Sequence, residues 1–160
     1  MISGAPQVNE IHTLFESLDQ FDTSKTKRLK IDHGNSLSSD PPYRALLPMK
    51  DLHTLVLSHC PTSRIFIDAL DPSTNQSGVL VCPKLEEIVI KHMERLDIKD
   101  ILGTMEVRAS RGAKLKLFRI TAPGTTLKTD VSGLEKHVFR VECNHEVYGA
   151  NDGDGENKDG

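Results

Sequence analysis

The side chains of this 160-residue chain that could carry chemistry are few, and the best placed are thiols beside imidazoles. Cys60 follows His59, and Cys143 lies near His137 and His145. A cysteine hydrolase needs a thiolate, a base in reach and a third group that orients the base. Neither pair sits in such a motif. His137, Cys143 and His145 share odd numbers, which on one strand would place them on one face as metal ligands. On an extended strand at ~3.3 Å per residue, positions 137 and 145 would be about 26 Å apart, too far for one coordination sphere. His12, His33, His53 and His92 show no ligand spacing, and Gly103, Gly112, Gly124 and Gly133 each stand alone, so no phosphate-cradling loop is indicated. The expectation is no enzyme, no metal site and no cofactor.

The elements that would position these residues are written more clearly. Leu52-x-x-Leu55-x-Leu57-x-x-Cys60, Leu85-x-x-Ile88-x-Ile90-x-x-Met93 and Leu115-x-x-Phe118-x-Ile120 repeat one pattern, with weaker copies at Thr26-x-x-Leu29-x-Ile31 and Val138-x-x-Val141-x-Cys143. In L-x-x-L-x-L the last two apolar residues share one face of a short strand and the first closes the turn before it. Cys60 then takes the repeat position of a residue that satisfies backbone groups in the turn after the strand, and Cys143, alternating with Val141 and Phe139, reads as core. Steps between the central apolar residues are 26, 33, 30 and 23, against a usual repeat of about 20–29. The reading is α/β: a short, irregular leucine-rich-repeat solenoid of about five copies over residues 1–148, with parallel strands on the concave side and helices or loops on the convex side.

Between strands the period changes to that of helices. Val8, Ile11, Leu14, Phe15 and Leu18 predict a helix over about Pro6 to Phe21, and Tyr43 to Leu47 one helical turn. Ile65, Phe66, Ala69 and Leu70 predict a short helix before a polar loop, Asp71 to Gly78. Ile98, Ile101, Leu102, Met105 and Ala109 predict a longer one, N-capped by Asp97 and stopped by Gly112. Arg108 and Arg111 near its end would complement the helix dipole. His33 to Pro42 reads as a loop, and residues 149–160 as a disordered acidic tail.

Composition narrows the function. Apolar residues make up 37% and charged residues 27%, with no apolar run near the ~20 residues that span a bilayer and no secretory signal at Met1-Ile2-Ser3-Gly4. Three widely spaced cysteines without a C-x-x-C fit a reducing compartment, so an intracellular protein, cytoplasmic or nuclear, is expected. A net charge of −3, a single diluted basic run over Lys25 to Lys30, and the absence of Trp argue against nucleic acid.

Three stretches carry a family likeness: Leu46-Leu47-Pro48-Met49-Lys50-Asp51-Leu52-His53-Thr54-Leu55-Val56-Leu57-Ser58-His59-Cys60, Val81-Cys82-Pro83-Lys84-Leu85-Glu86-Glu87-Ile88, and Arg108-Ala109-Ser110-Arg111-Gly112-Ala113-Lys114-Leu115-Lys116. Over roughly Leu14 to Tyr148 the chain resembles the C-terminal leucine-rich repeats of the F-box-like proteins of mushroom-forming fungi. The resemblance implies the partner- or substrate-recognition part of a receptor for a cullin-type ubiquitin ligase. The stretch Met1 to Lys25 is too short to hold the helical F-box itself, so a ligase adaptor is expected as a partner only if an F-box lies upstream.

If the copies stack, the residues between the buried positions form outward rows that a protein or peptide could read. The middle row is Lys30, Val56, Val89, Arg119 and Glu142. Arg28, Thr54, Glu87, Leu117 and Arg140 flank it on one side, and Asp32, Ser58, Lys91, Thr121 and Asn144 on the other. Exposed Val56, Val89 and Leu117 would supply an apolar centre, with Arg119, Glu142, Lys91 and Glu87 setting register and partner choice. The alternative is a structural or end-capping piece of a longer solenoid.

Overall fold

The structure, a computed structural model, describes residues 22–32, 43–60, 63–75, 77–92, 98–121, 131–143 and 146–149. The helix expected over Pro6 to Phe21, the loop from His33 to Pro42, the Asp97 cap and the tail beyond Gly149 lie outside these residues.

Each copy of the apolar motif forms a strand: β1 (Arg28–Asp32), β2 (Thr54–Ser58), β3 (Glu87–Lys91), β4 (Leu115–Thr121) and β5 (Val138–Cys143). They lie side by side in chain order, all parallel, in an α/β arrangement. A sixth strand, β6 (Glu146–Gly149), returns antiparallel to β5. β5 ends at Cys143, and His145, weighed with Cys143 as a ligand, lies outside the described residues. Gly149, placed at the head of the tail by its composition, instead ends β6 beside Arg140.

Short helices occupy the connections: α1 (Tyr43–Leu46), α2 (Ser63–Ala69), α3 (Ile98–Ser110) and α4 (Val131–Leu134). They too are neighbours in chain order, α1 against α2, α2 against α3, and α3 against α4. The fourth lacks a run long enough to show a helical period.

The registers align the copies residue for residue. Leu29, Leu55, Ile88, Phe118 and Val141 stand opposite one another, as do Ile31, Leu57, Ile90, Ile120 and Cys143. Apart from partly buried Leu29, all ten are buried and pack with Phe66, Ile67 and Leu70 of the second connection and Ile98, Ile101 and Met105 of α3. Leu52, Leu85, Leu115 and Val138 close the preceding turns and are buried as well. The backbone repeats the same join at each step: the His53 and Thr54 N–H groups both donate to the Lys27 carbonyl, those of Glu86 and Glu87 to His53, and those of Lys116 and Leu117 to Glu86.

Phe139 departs from the expected alternation and is 59% exposed. Val138 takes the turn-closing position and is fully buried, which turns the next side chain outward. There the Lys114 ammonium lies 4.5 Å from the centre of the Phe139 ring.

Helix α3 ends as Gly112 predicts. Its φ of +78° suits glycine, and the Ala113 N–H donates to the Arg108 carbonyl while Gly112 N–H donates to that of Ala109, a Schellman closure. Arg108, however, is not a surface cation complementing the dipole. Its side chain is fully buried, with Nη1 donating to the carbonyls of Val81 (2.7 Å) and Leu70 (3.4 Å) and Nη2 to that of Cys82 (2.9 Å). These carbonyls belong to the second connection, away from the ladder, and the forked side chain from the next copy supplies donors to all three, beside the Leu85 N–H that also reaches Cys82. Burial lowers the Arg108 pKa to about 10, so it stays charged at neutral pH, and burial raises the Cys82 thiol to about 12, far from thiolate.

Arg111, by contrast, is exposed and donates to the Gly78 carbonyl at 2.7 Å. The loop these arginines hold is not wholly solvated, because Asp71 is buried and its carboxylate accepts from the Ser73 N–H and hydroxyl.

Candidate interaction surface

The face of the sheet opposite the core carries the outward rows in the expected order. Lys30, Val56, Val89, Arg119 and Glu142 are successive partners, as are Arg28, Thr54, Glu87, Leu117 and Arg140, and then Asp32, Ser58, Lys91 and Thr121. Asn144 lies outside the described residues.

Their exposure corrects the expectation at the centre. Val56 is 2% and Val89 3% exposed, so neither is an open contact residue. Both are short, β-branched and adjacent in register, each with a longer partner on its other side, Lys30 for Val56 and Arg119 for Val89. Leu117 is half-buried, and Ser58 is buried. The accessible part of the face is therefore charged: Arg28, Lys30, Asp32, Lys91 and Arg140 are exposed, with Glu87, Arg119 and Glu142 partly so.

Arg119 and Glu142, assigned to partner choice, are engaged with each other. Arg119 Nε donates to the Glu142 carboxylate, and Arg140 Nη2 donates to its second oxygen at 2.8 Å. The Arg119 hydrogen bond holds the Glu142 pKa below the usual carboxylate range. A carboxyl group with a lowered folded pKa adds stability above its unfolded value, about 4.3, and that stability is lost as pH falls through the folded value. Glu142→Gln should therefore lose less stability than the wild type in urea melts taken at pH 6 and then pH 3.5. An unchanged difference between the two pH values would show that the cluster contributes nothing. Of the remaining two residues in that group, Glu87 accepts a long hydrogen bond from the Thr54 hydroxyl at 3.4 Å, and Lys91 makes no ion pair among the described residues.

At the carboxyl ends of the strands His59 and His92 stack, with ring centres 4.3 Å apart and planes at 10°. Both adopt left-handed backbone, at φ 51° and 56°, a conformation uncommon for residues with a side chain. Each follows the last strand apolar residue, Leu57 or Ile90, by two, as His33 follows Ile31 in the sequence. That shared repeat position is the signal missed when the histidines were searched for ligand spacing alone.

Ser58 and Asp32 complete a Ser, His, Asp set, but both approach His59 at the same nitrogen, Nδ1, at 3.0 and 3.3 Å. A relay needs them on opposite ring nitrogens. The Cys60 thiol is buried and directed to the carbonyls of Ser58 (3.3 Å) and Ile31 (3.6 Å), the turn-satisfying place expected of it. Among the described residues no three His, Cys, Asp or Glu side chains converge as metal ligands, and no helix is long and apolar enough to cross a membrane. No protein-family model, curated protein or solved structure matches the chain.

Proposed function

We propose that the chain is a short solenoid of the leucine-rich-repeat type, its outward strand face concave, and that it works as an intracellular protein-interaction module rather than as an enzyme. The observation that carries this reading is the register. Five parallel strands in chain order set equivalent residues of every copy opposite one another, so that one face is a continuous apolar ladder and the other a set of rows that are polar but for Val56, Val89 and Leu117. By its likeness to fungal F-box-like proteins, the partner is the substrate of a ubiquitin-ligase receptor, and the ligase adaptor is engaged only if an F-box lies upstream.

With Val56 and Val89 buried, recognition passes to exposed Lys30 and Lys91 and partly exposed Glu87 and Leu117. The test is quantitative affinity capture from the source cells, comparing the wild type with a Lys30→Glu, Lys91→Glu, Leu117→Asp variant whose far-ultraviolet circular dichroism is unchanged. Loss of a specific partner is expected; identical captures would remove the proposal.

A second reading, a terminal cap of a longer solenoid, is favoured by β6, whose antiparallel course closes the parallel run at β5. Under it the face variant would leave every capture unchanged.

A further inference from the structure

We infer that the amino-terminal edge of the sheet is a second contact surface, which takes an acidic, extended segment of a protein partner; this rests on reading the chain as a protein-binding module. Counted back from the register partners Arg28, Thr54, Glu87, Leu117 and Arg140, five positions correspond at the entry to each strand: Ser24 to Arg28, Lys50 to Thr54, Pro83 to Glu87, Ala113 to Leu117 and Lys136 to Arg140. These windows hold nine cations, Lys25, Lys27, Arg28, Lys50, Lys84, Lys114, Lys116, Lys136 and Arg140, against three carboxylates, Asp51, Glu86 and Glu87. The edge is thus +6, while the whole chain is −3 and the remainder −9. Among the described residues, which hold 17 cations and 12 carboxylates, everything outside the edge sums to −1, so the positive charge is concentrated at the edge and makes it a local attractor for anions.

Contacts between neighbouring strands tie the edge together. Lys84 pairs with Asp51 across β2 and β3, Lys116 pairs with Glu86 at 2.7 Å across β3 and β4, and Lys114 covers Phe139 across β4 and β5. The lysines hold the Asp51 and Glu86 pKa values below the usual range, each mainly through its hydrogen bond. What is left over is cationic: Lys25, Lys27, Arg28, Lys50 and Lys136 are exposed and make no ion pair among the described residues. Exposed Phe139 adds apolar area at one end.

Four strand spacings of ~4.8 Å make a strip about 19 Å long, the length of some six extended residues at ~3.3 Å each. A peptide can place carboxylates over the cations and neutral residues over Asp51 and Glu86. A nucleic-acid backbone, charged at every step, has no such freedom and would set phosphates against Asp51 and Glu86.

The test is fluorescence anisotropy with a labelled ten-residue glutamate peptide, a ten-residue Gly-Ser peptide and a ten-nucleotide DNA single strand, on the full chain at low and moderate salt. The glutamate peptide should bind, weaken as salt rises, and lose at least tenfold in affinity with Lys25→Glu, Lys27→Glu, Lys50→Glu, whose fold is checked by circular dichroism. Lys91→Glu on the outward face should change it less than twofold. Absent binding, binding equal to that of the Gly-Ser peptide, indifference to the triple change, or tighter binding of the DNA would each overturn the inference. Its failure alongside an intact outward-face capture removes the edge alone; failure of both removes the binding module.

Discussion

Replacing Arg108 with methionine should lower the free energy of unfolding by roughly 3–5 kcal/mol, since hydrogen bonds from a charged donor are worth about 1.5–3 kcal/mol each and two strong ones are lost. The Val81 carbonyl, reached at 2.7 Å, would stay buried without that donor, while the Cys82 carbonyl, reached at 2.9 Å, would keep only the Leu85 N–H. Methionine keeps the stem's apolar packing, so the loss reports the guanidinium rather than a cavity. The effect is partly offset because no charge need then be desolvated, and Nε already lacks a hydrogen-bond partner. Arg111→Met is the control: it too donates to a carbonyl, that of Gly78, but from an exposed position, and should cost less than about 1 kcal/mol. Urea titrations of both variants separate the cases. An Arg108→Met loss below that of Arg111→Met would mean that the clamp between the second connection and α3 is not a stabilising element.

The same arginine shows where reading the sequence stops. The apolar spacing of L-x-x-L-x-L placed every inward residue and, by counting between them, every outward row, because strand alternation is a local rule and the copies are aligned by their own motif. Arg108 was assigned to the helix dipole by an equally local rule. Its partners are 26 to 38 residues away in the chain, and nothing near it in sequence announces them.

Val56 and Val89 failed for a related reason. Alternation says which face a side chain takes but not how tall its neighbours are. The strand β6 and helix α4 are four residues each, too short for a period to emerge. The basic edge, in contrast, was legible. Lys25, Lys84 and Lys114 occupy one repeat position and Lys27 and Lys116 another, but the cations were weighed as a contiguous run instead of being stacked copy on copy.

Phe118→Ala should cost roughly 3–5 kcal/mol, the usual penalty for emptying a large aromatic site in a packed core. Phe118 is fully buried and stands in the ladder between Ile88 and Val141, so its ring closes the gap between the third and fifth copies. How the loss is distributed says more than its size. In a stack where each copy touches only its neighbours, stability is a sum of copy terms and neighbour terms, and damage at one interface stays near it. Amide hydrogen exchange on the variant should then lose most protection in β3, β4, β5 and α3, with β1 and β2 much less affected. A uniform drop across all strands would mean that the sheet opens as one cooperative unit. The solenoid reading would fail there, even though the parallel register would stand. Phe118 is suited to this test because its neighbours in the ladder, unlike those of Arg108, are set by the repeat itself, so any spread of damage beyond them must travel through the core shared by α2 and α3.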